Sequence, residues 1–438
     1  MKVTYIQDVA NGVTNDSVVT LYGWCKKVRH HKNRIFIDVV DSTGVIQVVV
    51  EKNIAAQTWQ EAMRVKVESA VTVRGKVLTD GERREIKCQE FKIISLATRQ
   101  QSPPLRSDLM DTFDESHIAQ ILDNRHLYIR NPKMMAVLQF RALIKRITRQ
   151  WFEKNGFIEI DAPILTPIPL YEDDTAVQVN IKGDNVFLTQ CVGYYLEAAV
   201  HAFEKVYNMG PSFRGEESRS KRHLMEYWHI KAEIAFANRE DIITLVESIM
   251  LFLTQSLQSE AQELVSAVGT NLCVDGLKIP FPRISYDDAI IKLQKGGSSI
   301  QYGKSIGSQE EQMLSQNFAT PFWITDPPRS TEPFPYVVHP ENSSLVMVAD
   351  LIASNGYGEL LGTAEKIWQL DMLDERMKEK GKFGDRRFDW VREVHEYGCV
   401  PHAAFGMGLE RLIRWLLNIP HVRDTIPFPR IFRRKITP

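Results

Sequence analysis

The stretch Gly406-Met407-Gly408-Leu409-Glu410-Arg411 decides the fold, and Phe213-Arg214-Gly215-Glu216 far upstream complements it. Each stretch places an arginine beside small residues, and His223 follows Arg214 in Arg222-His223-Leu224. A guanidinium can bind phosphate oxygens through two parallel hydrogen bonds or lie flat on an adenine ring. The two stretches therefore predict a site for a bent nucleoside triphosphate. The sequence contains no Gly-x-x-x-x-Gly-Lys-Ser/Thr loop, so we do not expect a P-loop.

Length and composition limit the classes of protein that this chain can belong to. A chain of 438 residues exceeds what one hydrophobic core supports, which predicts at least two domains. Hydrophobic residues make up 44% and charged residues 25%, as in ordinary soluble globular proteins. The net charge of −1 excludes a uniformly basic nucleic-acid-binding protein but allows local basic patches.

The sequence contains no strong targeting or membrane signal. Apolar runs such as 243–253 are too short or too interrupted to span a bilayer, and Met1–Thr4 leads directly into polar sequence. The cysteines are scattered, without a Cys-x-x-Cys pair or zinc-ligand spacing: Cys25, Cys88, Cys191, Cys273 and Cys399. This cysteine usage is typical of a reducing, cytoplasmic setting and predicts no structural metal. The short apolar runs predict no membrane association.

The first hundred residues alternate like short strands separated by Gly, Asp and Asn turns. The predicted strands are 18–24, 34–40, 45–50, 70–78 and 85–95, with a helix at 54–65. Five strands with a helix between the third and fourth is the order of an OB barrel, whose sheet binds single-stranded nucleic acid. A basic patch at 26–34 is either part of that surface or a solvated hairpin loop.

The rest of the chain predicts an α+β domain built on a mostly antiparallel sheet flanked by helices. Predicted strands are 157–160, 186–188, 212–216, 227–236, 345–350 and 359–362; predicted helices are 133–154, 195–203, 240–256 and 409–417. We therefore expect an OB-fold domain at 1–100, a linker or hinge at 101–130 and a catalytic domain at 131–438.

The sequence resembles the class II aminoacyl-tRNA synthetases of the aspartate/asparagine subgroup, in the archaeal-type layout, over essentially its whole length. Residues 157–163 resemble the first class motif, whose Pro163 implies a homodimer interface. Residues 213–236 resemble the second motif and 406–430 the third. Taken singly, an Arg-x-Glu is usually a cross-strand ion pair and a Gly-x-Gly a turn. Three motifs in order with family spacing are a much stronger signal.

The resemblance implies a role for each motif residue in ATP-dependent activation of an amino acid. Arg214 would contact the α-phosphate and His223 the γ-phosphate, with Arg222 nearby. Tyr227 and Arg411 would cover the two faces of adenine. The remaining implied nucleotide contacts are Glu216, Glu359 and Gly408. Asp350 and Glu359 would bind Mg²⁺, a cation that prefers carboxylate oxygens; alternatively, these two residues only bracket the loop 354–358.

The resemblance also implies tRNA as a partner, bound by the N-terminal domain. Arg29, Phe36 and Gln47 fall at the family's anticodon-binding positions, as do Trp24 and Asp41. Phe36 is either a core residue or an exposed stacking platform; Ile35 and Ile37 share one face of the strand, which turns Phe36 to the other. The family often has a Gly-Gly pair where Lys32-Asn33 stands.

One short segment distinguishes aspartate from asparagine as the amino acid. Aspartate enzymes have a lysine after its tyrosine, whereas this chain has Tyr195-Leu196-Glu197-Ala198, as in asparagine enzymes. Glu197 would accept a hydrogen bond from a carboxamide and repel a carboxylate. The resemblance thus favours asparagine and tRNA-Asn. The implied amino-acid pocket comprises Gln190, Gly193, Tyr195, Glu197, Lys366 and His402.

Departures from the family pattern concentrate in this pocket. Residues 171–174 replace a Glu-Gly-Gly loop, Gly193 replaces a glutamine, Lys366 replaces an arginine and Ala404 replaces a glycine. Lysine keeps the charge of arginine but not its bidentate geometry. These changes leave open a paralogue that activates a different or modified substrate, or an aspartate enzyme. A ligase with another acyl acceptor and a non-catalytic RNA-binding protein are further alternatives.

Overall fold

The structure, a computed structural model, describes residues 4–12, 16–80, 83–99, 111–169, 173–218, 220–273 and 277–436. The chain divides into two compact units, Met1–Leu109 and Met110–Pro438. Helices and strands are numbered below in chain order.

The first unit is the expected OB barrel. Its elements among the described residues are α1 (Ile6–Asn11), β1 (Val18–His31), β2 (Arg34–Val40), β3 (Val45–Glu51), α2 (Ala56–Arg64), β4 (Ala70–Asp80) and β5 (Arg83–Ser95). The strands close in the order β1-β2-β3-β5-β4, and α2 lies between β3 and β4 as predicted. Alternate residues such as Ile35, Ile37 and Val39 fill the barrel interior.

The predicted basic patch lies on the hairpin formed by β1 and β2. Strand β1 extends beyond its predicted end at residue 24, because it pairs with β2 up to the register His31–Arg34. A two-residue turn, Lys32-Asn33, connects the strands without the family's glycines. Part of the patch is neutralised locally, since Lys26 pairs with Glu68 at 3.0 Å, Arg29 with Asp38 at 3.1 Å and Arg34 with Glu51 at 3.0 Å. The remaining cations face solvent.

The second unit is built on a large sheet. Its strands among the described residues are β6 (Ile158–Glu159), β7 (Leu165–Thr166), β8 (Gln178–Ile181), β9 (Asp184–Leu188), β10 (Lys205–Phe213), β11 (Glu226–Ala235), β12 (Arg283–Ser285), β13 (Phe322–Thr325), β14 (Val348–Ala353), β15 (Gly358–Lys366) and β16 (His402–Gly408). Eight of them pair in the order β12-β13-β14-β15-β16-β11-β10-β6, and β7, β9 and β8 form a small sheet. The five contiguous pairings from β13 to β10 are antiparallel, which confirms the predicted sheet type.

Helices cover this sheet. They are α3 (Ile118–Asp123), α4 (Arg125–Tyr128), α5 (Pro132–Lys154), α6 (Gly193–Phe203), α7 (Arg239–Glu260), α8 (Gln262–Val268), α9 (Tyr286–Lys295), α10 (Ser308–Ser315), α11 (Leu370–Glu379), α12 (Asp389–Glu396) and α13 (Leu409–Leu416). Short 3₁₀ turns lie at Glu115–His117, Asp173–Thr175, Arg386–Phe388 and Val422–Thr425. The main core joins apolar residues of α5, α7 and α13 with one face of the sheet.

Helix α7 is, among the described residues, the one helix long and apolar enough to cross a membrane by length and composition. This is weak evidence, because core helices share those properties, and its Ile243, Val246 and Met250 lie in the main core. The run 243–253 within this helix is interrupted by the polar residues Thr244, Glu247 and Ser248.

Several predicted boundaries differ from the structure, and two of them affect the second unit. The second unit begins at Met110, so α3 and α4 belong to it although the sequence placed 101–130 in a linker; residues 101–110 lie outside the described part. Buried Arg125 ties this segment to the unit by donating to the carbonyls of Ile426 and Pro427. The strand predicted at 212–216 ends at Phe213, because Arg214 keeps only one further backbone bond, to Met225.

Candidate active site

A cavity of about 340 Å³ lies over the sheet face opposite the main core. Its lining includes every predicted nucleotide-binding residue: Arg214, Glu216, Arg222, His223, Tyr227, Glu359, Gly408 and Arg411. Asp350, Gly193 and Lys366 line it as well. The two arginines singled out by the sequence therefore share one cavity.

Strand alternation brings these side chains to one face. Along β11, Tyr227, His229 and Lys231 line the cavity, whereas Ile230 on the opposite face belongs to the core. On the neighbouring β16, Gly406 leaves room for the side chains of β11, because a Cβ atom at this position would lie 2.8 Å from Lys231 Cε. A side chain at this position would thus displace the cavity-facing groups of β11.

A β-bulge determines the direction of Glu359. Strand β15 pairs Leu361 with Leu351 but Glu359 with Ile352, so Leu360 is the extra residue. Leu360 and Leu361 are both buried in the core, and the alternation restarts with Glu359 toward the cavity. Without the bulge, the side chain at 359 would face the hydrophobic core.

The two arginines reach the cavity from different elements. Arg214 follows the end of β10, and its Nη1 donates to Glu216 Oε1 at 3.2 Å. Arg411 lies in the first turn of α13, where its Nη1 is 3.0 Å from Glu359 Oε2. Arg411 Nη2 is also 3.3 Å from His223 Nε2. Both guanidiniums are thus held partly buried at the cavity wall.

His223 is held in a defined orientation by two hydroxyl groups. Ser218 Oγ and Ser220 Oγ lie 3.0 Å and 2.5 Å from its Nδ1. Burial, followed by the positive charge of Arg411, lowers the pKa of His223 to about 4. The imidazole of the free protein is therefore neutral near pH 7.

Arg222 forms a bidentate pair with a glutamate that the sequence analysis missed. Its two terminal nitrogens contact Glu311, with Nη2 to Oε1 at 3.1 Å. Glu311 Oε2 also accepts a hydrogen bond from the Glu359 backbone N–H at 2.8 Å. Glu311, on α10, thereby fixes both Arg222 and the start of β15.

Three carboxylates, those of Asp350, Glu359 and Glu332, line the cavity. Burial, and then the negative charges of Glu359 and Glu332, raise the pKa of Asp350 well above its usual range. Burial also opposes ionisation of Glu359, but Arg411, Arg222 and Arg214 together lower its pKa. Such a concentration of oxygen ligands fits a hard divalent cation such as Mg²⁺.

The other end of the cavity carries two ammonium groups beside Gly193. A Cβ atom on Gly193 would lie 3.7 Å from Lys231 Nζ and 4.0 Å from Lys366 Nζ. Lys366 in turn pairs with Glu197 at 3.5 Å. Although burial opposes it, the charges of Lys366 and His402 lower the pKa of Glu197 to about 2, so this glutamate is ionised.

Four predicted pocket residues do not line the cavity. Glu197 is buried against Lys366, so the predicted direct contact with a carboxamide is not what the geometry offers. His402 is fully buried, 3.2 Å from Glu233 Oε1. Gln190 is buried and donates to Thr175 at 2.9 Å. Tyr195 donates to Thr166 and stacks on Trp390.

Tyr194, rather than Tyr195, lines the cavity. Both lie at the start of α6, where consecutive side chains point about 100° apart, so only one faces the site. Sequence reasoning also missed Lys231, Glu233, Glu332 and Tyr336. The period of two from Tyr227 along β11 was the available signal for Lys231 and Glu233. Glu332 and Tyr336 lie in irregular backbone, which has no such period.

The predicted anticodon residues lie together on the barrel. Arg29 Nη2 donates to Gln47 Oε1 at 2.7 Å and to Asp38 Oδ1 at 3.1 Å. The Arg29 guanidinium lies 5.7 Å from the centre of the Phe36 ring, and His31 meets that ring edge-on at 5.5 Å. Phe36 is half-buried and points away from the core residues Ile35 and Ile37. Phe36 therefore lies outside the barrel core, as expected for a ring that stacks on a base, and the interpretation as a core residue is wrong.

Pro163, predicted at a dimer interface, lies in an exposed segment. Its neighbours Ile164 and Leu165 are exposed by 44% and 45%. In the departing loop 171–174, residues 171 and 172 lie outside the described part of the chain.

Comparison with known proteins agrees with this architecture. Residues 117–431 match the family "tRNA synthetases class II (D, K and N)", and residues 19–94 match the "OB-fold nucleic acid binding domain". An asparagine--tRNA ligase of Desulforamulus reducens is 34% identical over 96% of both chains, and one of Thermococcus kodakarensis is 34% identical over 94% of both. The crystal structure of asparaginyl-tRNA synthetase from Pyrococcus horikoshii with asparaginyl-adenylate superposes with a TM-score of 0.92, at 31% identity and 99% coverage of each chain.

Proposed function

The chain belongs to the class II tRNA synthetases of the D, K and N group, and from this premise we propose that it is an asparagine--tRNA ligase. It activates asparagine with ATP, releases pyrophosphate and transfers the asparaginyl group to the 3′-terminal adenosine of tRNA-Asn. The observation that carries this proposal is the convergence of Arg214 and Arg411 with Asp350 and Glu359 on one cavity. Full-length relatives of the same kind support the choice of amino acid.

Activation requires positioning more than acid–base chemistry. The asparagine carboxylate attacks the α-phosphorus, and the bond to the pyrophosphate oxygen breaks. Arg214 neutralises the α-phosphate, while His223 and Arg222 contact the outer phosphates. Tyr227 and Arg411 cover the adenine, whose edge faces Glu216. Groups that are fixed before the reaction stabilise developing charge without reorganising.

Asp350 and Glu359 would hold Mg²⁺, which when bound offsets phosphate charge. The residues fit this cation because Asp350, Glu359 and Glu332 offer carboxylate oxygens only, and burial together with their mutual repulsion disfavours the ionised form of Asp350. A Cβ atom at Gly362 would lie 2.8 Å from Asp350 Oδ1, so the glycine preserves access to this carboxylate.

The barrel binds the anticodon. Phe36 stacks on an unpaired base, Gln47 reads a neighbouring base edge, and Arg29 both orients Gln47 and contacts the phosphate backbone. The exposed segment around Pro163 forms the homodimer interface, and the chain acts in the cytoplasm. These assignments follow from the family membership and from the exposure of the residues concerned.

Pyrophosphate exchange with each of the twenty amino acids, followed by charging of tRNA-Asn, tests the proposal. Exchange with asparagine and transfer to tRNA-Asn are expected. Exchange with asparagine but no transfer would refute the assignment of tRNA as the acceptor. Absence of exchange with any amino acid, in a preparation that binds ATP, would refute the ligase activity.

A second candidate is an enzyme of the same family with another amino-acid substrate. Its support is the pair of ammonium groups around Gly193, which favours an anionic side chain such as that of aspartate or of a modified amino acid. The same exchange assay separates the two, since aspartate or a modified substrate would then exceed asparagine.

A further inference from the structure

A cluster of metal-binding side chains lies behind the cavity wall. His201 belongs to α6, Cys399 precedes β16, and His402 is the first residue of β16. One potential ligand atom from each lies within 4.8 Å of the others. None of the three belongs to the cavity lining described above. The cluster is therefore separate from the carboxylates of Asp350 and Glu359.

Hydrogen bonding fixes the tautomer of His201. Its Nδ1 lies 2.6 Å from the backbone oxygen of Glu197. Because a carbonyl oxygen only accepts, Nδ1 carries the hydrogen and Nε2 carries the lone pair. That Nε2 lies 3.1 Å from Cys399 Sγ and accepts a long hydrogen bond of 3.4 Å from the Val400 backbone N–H, which a metal ion would replace. A histidine that binds a metal typically has this arrangement, with its other nitrogen donating to a carbonyl.

His402 has the same tautomer as His201. Its Nδ1 lies 2.7 Å from the Val400 oxygen, so the hydrogen is again on Nδ1. Its Nε2 has no hydrogen-bond partner among the described residues, although the side chain is fully buried. Glu233 Oε1 is 3.2 Å away, and both carboxylate oxygens of Glu233 likewise lack a hydrogen bond. A buried lone pair facing a buried carboxylate needs a positive species, either a proton or a metal ion.

His395, close by, is used differently. Its two ring nitrogens are each 3.0 Å from a backbone oxygen, those of Val391 and Ile367. Both nitrogens therefore donate, and no lone pair remains for a metal. This leaves His201, Cys399 and His402 as nitrogen and sulfur ligands, with Glu233 beside His402.

We propose that His201, Cys399 and His402 bind Zn²⁺, with Glu233 as the fourth ligand. A thiolate and two imidazoles suit zinc and exclude Mg²⁺, which requires oxygen ligands. Tetrahedral bonds of about 2.1 Å to nitrogen and about 2.3 Å to sulfur separate these atoms by about 3.6 Å. The His201–Cys399 separation therefore opens by about half an ångström on binding.

With Glu233 as the fourth protein ligand no position is left for a substrate, and Cys399 and His402 are buried while His201 is partly buried, so the site is structural rather than catalytic. The ion joins α6, β11 and β16, the elements that carry Gly193, Lys231 and Gly406 to the cavity. It thereby fixes the amino-acid end of the cavity from behind. This inference does not depend on which amino acid is activated.

Cobalt substitution of the full-length chain tests the site. The metal-free protein, prepared with a chelator, is titrated with CoCl₂ and then with ZnCl₂. We expect about one equivalent of cobalt to bind with a thiolate-to-cobalt charge-transfer band and the intense visible bands of tetrahedral cobalt. Zinc should displace it.

Variants assign the ligands. Cys399→Ser should abolish the charge-transfer band, and His201→Gln should weaken cobalt binding at least about tenfold. Cys273→Ser, which alters a cysteine outside the cluster, should leave the spectrum unchanged. The wild-type spectrum alone is decisive if a variant fails to fold: octahedral cobalt bands without a thiolate band, or no bound cobalt, would overturn the proposal. So would an unchanged band in a folded Cys399→Ser protein.

Discussion

Arg411 Nη1 lies 3.0 Å from Glu359 Oε2, so a guanidinium from helix α13 and a carboxylate from strand β15 form an ion pair across the cavity. Both groups have proposed roles in binding MgATP. Each group neutralises the other, and the pair holds both side chains partly buried at the wall. Bound nucleotide and cation would replace these partners, since phosphate offers Arg411 an anion and Mg²⁺ offers Glu359 a cation.

Arg411→Ala should lower pyrophosphate exchange by about 10²–10³-fold, because it removes a preorganised positive charge and the cover over the adenine. Initial rates at saturating ATP and amino acid measure the effect. Arg386→Ala, at an arginine whose side chain is 94% exposed, is the control and should be unaffected. Equal activity of Arg411→Ala and the parent enzyme would show that the nucleotide lies elsewhere.

ATP binding should be accompanied by proton uptake at His223. Its pKa is about 4 in the free protein, and a bound phosphate raises it by Coulomb attraction. His223 therefore binds a proton more tightly in the ATP complex than in the free protein. ATP affinity should rise as the pH falls from above the pKa of His223 in the complex toward its pKa of about 4 in the free protein.

Calorimetry at about pH 6, in two buffers of different ionisation enthalpy, measures this uptake. His223→Gln serves as the reference, because it retains the nucleotide's own protonation. Identical proton uptake by the two proteins would exclude a phosphate contact at this histidine.

Glu197→Gln should impair amino-acid binding more than ATP binding, although Glu197 does not line the cavity. The substitution removes the charge that holds Lys366 at 3.5 Å. We expect the KM for the amino acid to rise at least about tenfold, equivalent to about 1.4 kcal/mol, with little change in the KM for ATP. Glu365→Gln, at the preceding residue of β15, is the matched control. Parallel increases of both KM values would indicate general damage instead of a positioning role.

Phe36→Ala should weaken tRNA binding by about 1–3 kcal/mol at fixed salt, the contribution of one base stacked on an aromatic ring. The substitution should leave the unfolding temperature almost unchanged, since Phe36 lies outside the barrel core. Met63→Ala, at an exposed residue on α2, is the control for altered barrel surface. Unaltered tRNA affinity would remove Phe36 from the anticodon site.

Arg141→Met should destabilise the second unit by about 3–5 kcal/mol, because it leaves the buried carboxylate of Glu410 without its cation. The two side chains lie 2.7 Å apart and are 9% and 3% exposed. Urea unfolding measures the change. Arg146 lies on the same helix as Arg141 and forms a solvent-exposed ion pair with Glu260 of α7. Arg146→Ala breaks this pair and should cost less than about 1 kcal/mol. Similar effects of the two substitutions would contradict the importance of burial.

The sequence by itself determined the order of the barrel strands, the mostly antiparallel sheet and a set of motif residues that line one cavity. These properties are local: strand alternation places Phe36 opposite Ile35 and Ile37, and motif spacing places Arg214 and Arg411 at the ends of particular elements. Family resemblance then implied which motif residues share a cavity, and both arginines line it.

Only the tertiary structure decided which individual side chains of these elements reach that cavity. The bulge at Leu360 turns Glu359 inward, and the start of α6 selects Tyr194 over Tyr195. Packing also places His201 next to Cys399 from a distant part of the chain. Sequence periodicity describes one element at a time, whereas these arrangements depend on how separate elements pack against one another, which no local pattern encodes.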